Sequence, residues 1–205
     1  MKDVSKQMGK MNRYLIGILL SAALLSSPAK ATDAQDTVSS GAPQEAREYH
    51  LKAAFLRYVA KFVEWPPESL PEGAVNICVL GQVPYYKGLD SITGKDANDR
   101  IIQVMKVGAI EDAEKQKCQI LFVAKTESDK VGSILKVIQD KPILSFGDMD
   151  DFAEKGGDMN FYIMNKRLAI MINPPAVERS NLKISPRMLK LVTVVPPIEQ
   201  EGVYN

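Results

Sequence analysis

C-Q-I-L-F-V-A-K-T-E-S-D-K-V-G-S-I-L-K-V-I-Q-D-K-P-I-L-S-F-G-D, residues 118–148, is the stretch on which the fold turns. Ile120–Ala124 is a short, unbroken apolar run, the signature of a strand buried on both faces. Val131, Ile134, Leu135 and Ile138 recur at helical spacing within 128–139. Ile143–Phe146 is a second buried run, and Gly147-Asp148 ends it. Strand, helix and strand in this order describe a crossover unit.

The same alternation extends towards the N-terminus. Val75–Leu80 and Ile101–Val107 read as two further strands, with a short helix around Tyr86–Ile92 between them. A long helix over Glu45–Glu64 precedes them and stops at Trp65-Pro66-Pro67, since proline cannot continue it. Beyond Asp148, one helical turn holds Phe152 and Ala153 and stops at Gly156-Gly157. Met159–Met164 and Arg167–Ile172 form a hairpin about Asn165-Lys166. Short helices over Pro175–Ser180 and Pro186–Val192 follow, the second with Ser185 as N-cap and Pro186 at its first position. The expected architecture is a single three-layer α/β domain over residues 45–196. Its sheet is mixed and mostly parallel, with a C-terminal β-hairpin, and a tail occupies 197–205.

Ahead of the domain, residues 1–31 read as a cleavable secretory signal. Lys2, Lys6, Lys10 and Arg13 give a positive start, Tyr14–Leu25 is apolar but too short to span a bilayer, and Ala29-Lys30-Ala31 is a cleavage site after Ala31. Met11 opens a complete signal by itself, so translation from Met11 is expected. Residues 32–44 are polar and aperiodic, a flexible lead-in. Without the signal the chain has 21 basic and 24 acidic residues, a net charge of −3. That is no footprint for nucleic acid, and no later segment has the length and apolarity to cross a membrane. The expected location is outside the cytoplasm.

The two cysteines, Cys78 and Cys118, belong to a chain bound for an oxidising compartment and read as a disulfide, with two buried free thiols as the alternative. With one histidine, His50, they are too few for a metal site at these spacings. No catalytic residue, metal or cofactor is assigned. Asp148, Asp150 and Asp151 follow a strand end where Mg²⁺-dependent phosphoryl transfer could be built, but turn capping explains them as well. Lys183, Ser185 and Arg187, with Arg179, could receive a small anion near the helix that Ser185 caps.

On the first helix the main apolar stripe centres on Leu51, Phe55 and Phe62, and is expected to cover the sheet. Tyr49, Ala53, Leu56 and Ala60 lie nearly opposite. That second face either packs internally or docks a partner or a second copy, with Tyr49, Leu56, Arg57 and Lys61 as contacts.

Glu48–Pro66 (EYHLKAAFLRYVAKFVEWP) resembles the opening helix of the YfiR/HmsC-like periplasmic regulators. Ile77–Gly81, Cys118–Val123, Pro142–Asp148, Phe152–Phe161 and Leu182–Leu191 match further blocks in the family's order. Arg57 and Tyr58 stand where aromatic-Asn is common, and Asp158 where an apolar residue usually follows Gly-Gly. The resemblance implies a non-enzymatic protein of a Gram-negative periplasm. It would bind the periplasmic part of an inner-membrane diguanylate cyclase, or another signalling protein, and lower cyclic di-GMP and biofilm formation. A small-ligand sensor is the first alternative, and a metal-dependent phosphoesterase the second.

Overall fold

The computed structural model describes residues 43–195. The signal with Ala31, residues 32–42 and the tail 197–205 lie outside the described residues. In chain order the elements are α1 (Gln44–Phe62), β1 (Val63–Glu64), β2 (Ala74–Leu80), α2 (Tyr86–Asp90), β3 (Asp96–Ala97) and β4 (Arg100–Val107). There follow α3 (Asp112–Lys115), β5 (Ile120–Val123), α4 (Val131–Ile138), β6 (Leu144–Gly147), β7 (Met159–Met164) and β8 (Arg167–Ile172). The last are α5 (Pro174–Arg179), β9 (Lys183–Ile184), α6 (Pro186–Leu189) and β10 (Thr193–Val194).

Eight strands form one mixed sheet in the order β10-β8-β7-β6-β5-β2-β4-β3. From β4 to β7 every neighbour is parallel, β3 and β8 are antiparallel additions, and β10 runs parallel to β8. The expected α/β architecture is therefore present. Because β2 has β4 on one side and β5 on the other, strand order reverses there. Crevices at the carboxyl ends of such strands are where α/β sheets place ligands.

Alternation along each strand divides the core in two. Ile77, Val79, Ile120, Phe122, Leu144 and Phe146 belong to the cluster under α1. Cys78, Leu80, Leu121 and Val123 point to the other face, with Ile134 and Ile138 of α4. Cys78 and Cys118 are bonded on that second face and have Cα atoms 5.8 Å apart. Closing a loop with a sequence separation of 40 stabilises the fold by about 4 kcal/mol in the chain-entropy account.

Local departures from the sequence reading have local causes. The first helix ends at Phe62 rather than Glu64, because Val63 and Glu64 pair with Ile184 and Lys183. The fourth helix opens as 3₁₀ turns over Lys125–Lys130 and becomes α-helical at Val131. Residues 150–156 are turns without the expected helix at Phe152. The fully buried Phe152 ring lies against two backbones, and a Cβ on Gly147 or Gly157 would come within 2.3 Å or 2.2 Å of it. These glycines leave room for the ring. Asn160 holds the loop by accepting from Ala153 N–H and donating to the Asp150 carbonyl. The hairpin turn has Asn165 and Lys166 at φ 50° and 61°, the left-handed pair of a type I′ turn.

Candidate functional site

The face of α1 that covers the sheet carries Tyr49, Lys52, Ala53, Leu56, Val59 and Ala60. Leu56 is 1% exposed and Ala53 fully buried, so of the two readings of this face, internal packing or docking, the structure has internal packing. Small side chains explain the packing, since they let the helix approach its neighbours closely. A Cβ on Gly88 of α2 would stand 2.7 Å from Tyr49 Cβ. Arg57 and Lys61 are engaged as well. Arg57 donates to Asp96 through Nε and Nη2, and Lys61 Nζ lies 2.5 Å from Asp96 Oδ2. The bond from Lys61, with the nearby Arg57 charge, holds the Asp96 carboxyl below its usual range.

The stripe expected to be core faces outward. Leu51 is 47% exposed, and Phe55, Tyr58 and Phe62 are half-buried. With Ala54, Ile170, Met188, Leu191 and Val192, three of these residues (Leu51, Phe55 and Tyr58) line an apolar groove of about 240 Å³. Leu191, on its rim, is 68% exposed. α1 supplies one wall, while α6 and the residues after it supply the other. Ser185 caps α6, its hydroxyl accepting from Arg187 N–H, as the sequence indicated. Arg187 and Lys190, next in sequence to the groove residues Met188 and Leu191, are exposed, and no carboxylate stands between Ser185 and Val195. The suggested anion constellation is split. Arg179 lines one cleft with Ser180 and Asp158, and Lys183 lines another with Leu182 and Ile184.

Asp148 also departs from the sequence reading, for it neither caps a helix nor lies open to a metal. Its Oδ1 is 2.5 Å from Lys52 Nζ, and its Oδ2 accepts from the Tyr49 hydroxyl at 2.6 Å. Lys52 also pairs with Glu48, and its ammonium lies 4.5 Å from the centre of the Tyr49 ring. Burial, reinforced by the bond to Asp148, pushes the Tyr49 phenol up, so it stays a donor. This cluster fastens α1 to the end of β6 and floors a cleft of about 390 Å³ bordered by Glu45, Lys125 and Asp150. Asp148 was legible as a strand-end carboxylate, but nothing in the helix pattern marked Lys52 as its buried partner. His50 is exposed, with Nδ1 3.3 Å from Ser91 Oγ. Among the described residues no group of three or more His, Cys, Asp or Glu side chains could hold a metal.

The YfiR/HmsC-like family model matches residues 49–193, from Tyr49 in the first turns of α1 to Thr193 in β10. The chain belongs to the YfiR/HmsC-like family. This is a family of periplasmic regulators rather than of enzymes, and the Cys78–Cys118 bond suits an oxidising compartment. The YfiR/HmsC-like region contains both walls of the apolar groove and the Lys52–Asp148 pair. No helix among the described residues is long and apolar enough to cross a membrane. No curated protein matches the chain. Among solved structures, a conserved domain protein from Vibrio cholerae O1 biovar El Tor strain N16961 is similar, at 10% identity and a TM-score of 0.49. The match covers 71% of this chain and 59% of that one.

Proposed function

We propose that the protein is a periplasmic negative regulator. It binds the periplasmic part of an inner-membrane diguanylate cyclase and restrains it, lowering cyclic di-GMP and biofilm formation. Export through the 1–31 signal delivers the domain to that compartment. The reading has no catalytic step. The observation that carries it is the apolar groove between α1 and α6. Exposed leucines gathered in a groove mark an interaction site more often than scattered surface hydrophobes do. The flanking Arg187 and Lys190, without a nearby carboxylate on α6, select an occupant with an apolar ridge and acidic flanks. A periplasmic helix of the cyclase is the occupant proposed.

Deleting the gene in its host should raise cyclic di-GMP, and the wild-type protein should restore it. Leu51→Asp and Leu191→Asp together should leave the circular dichroism spectrum and periplasmic level unchanged yet fail to restore it. Unchanged cyclic di-GMP on deletion, or full restoration by the doubly substituted protein, would overturn the reading.

A further inference from the structure

On the face of the sheet opposite the groove, a cleft of about 310 Å³ opens between α4, the loop at Lys155–Gly156 and the end of α5. Three cations line it, Lys136, Lys155 and Arg179, against Asp140 at its edge and Asp158 within it. Lys155 is shared with Asp151 at 2.7 Å, whereas Lys136 forms no ion pair among the described residues. Asp158 is only 3% exposed. Its two oxygens are unequally served. Oδ2 accepts from Ser145 N–H and from Ser145 Oγ–H, both at 2.7 Å. Among the described residues Oδ1 has only the Ser180 hydroxyl at 3.4 Å, which is equally close to the Ala176 carbonyl. That is a long bond for an O–H donor, and a carboxylate oxygen can accept two. Burial pushes the Asp158 carboxyl up, while the serine bonds and the Arg179 charge oppose it.

A simple anion drawn in by the three cations would meet this carboxylate at the cleft wall. A neutral polyol would leave the cations unused. We propose that the cleft binds a small anion that also carries a hydrogen-bond donor. Its carboxylate lies among Arg179, Lys136 and Lys155, and its hydroxyl or ammonium group donates to Asp158 Oδ1. The cavity suits a sugar acid or a free amino acid, which share this chemistry. Because the site lies across the sheet from the groove, it does not depend on how or whether the groove is occupied.

Isothermal titration of the full chain with D-glucuronate, L-alanine, propionate and glucose tests the proposal. D-glucuronate or L-alanine should bind, and which of them binds tells whether the donor is hydroxyl or ammonium. Propionate, lacking the donor, and glucose, lacking the charge, should each bind about ten-fold more weakly or not at all. Arg179→Gln and Lys136→Gln alter exposed cations rather than the buried carboxylate, and should each weaken binding by about ten-fold with an unchanged melting temperature. Absence of binding by both D-glucuronate and L-alanine would overturn the proposal. So would propionate binding as tightly as either, or binding indifferent to both substitutions.

Discussion

Along one face of α1 run Tyr49, Lys52, Ala53, Leu56, Val59 and Ala60, all buried; along the other run Leu51, Ala54, Phe55, Tyr58 and Phe62, exposed or half-buried. The second face has the larger apolar side chains, and hydrophobic periodicity alone assigns it to the core. The first face carries smaller side chains: two of its members are alanines, and one is a lysine. What decides between them is the distance at which the helix lies from its neighbours. Ala53 and Ala60 permit close approach, and the wider aromatic side chains fit only at the margins, where Phe55 meets Phe161 with ring centres 6.1 Å apart. Burial on this helix follows the space available rather than the size of the side chain.

The strongest way to break the comparison is Leu56→Glu. The carboxylate would be placed at a site that is 1% exposed, where the cation on the same face, Lys52, is already held by Asp148 and Glu48. The variant should lose its cooperative thermal transition and be recovered at low yield. A soluble variant with a wild-type melting curve would show that this face is not core.

Lys52 tests the polar end of the same face. Removing one partner of a buried ion pair costs about 3–5 kcal/mol, because the remaining charge is left without compensation. Lys52→Met should therefore lower stability to urea by an amount in that range. Adding Asp148→Asn should recover more than half of it, since the neutral amide can still accept from the Tyr49 hydroxyl. A Lys52→Met protein as stable as the wild type, or no recovery in the double variant, would show that the pair is solvated.

The division between legible and hidden features follows the range of the forces involved. Strands such as Ile120–Val123 and the 159–172 hairpin lie in the sequence because their signals are local: continuous apolar runs in one case, an Asn-Lys turn in the other. The Ser185 cap is local too. The two-residue strands β1 and β9 carry no pattern, for they exist only because the end of α1 is brought beside residues 183–184. Asp148 was visible as a carboxylate at a strand end. Its role depends on Lys52, 96 positions earlier, which helical periodicity alone treats as surface. Asp158 and its serines are likewise assembled from β6, the start of β7 and the end of α5. The sheet-covering side of α1 was exchanged with the other because amphipathic periodicity finds two sides of a helix without telling which one meets the sheet.

The smallest effect is the one that sharpens the contrast most, because it comes from a leucine only five positions from Leu56. Leu51→Gln keeps a helix former of nearly equal propensity, so the change in stability reports burial alone. Full burial of a leucine side chain is worth about 1.5–3 kcal/mol. At 47% exposure much of that is never gained, and the substitution should cost about 1 kcal/mol or less. The urea midpoint should shift slightly with an unchanged slope, since the surface exposed on unfolding is nearly the same. Leu56→Gln, measured beside it, should cost at least twice as much, because it loses the whole transfer term and buries an amide without an assigned partner. Equal costs at the two positions would mean that the two faces are equally buried in solution. That result would remove Leu51 from the open groove and leave Leu191 as its exposed leucine.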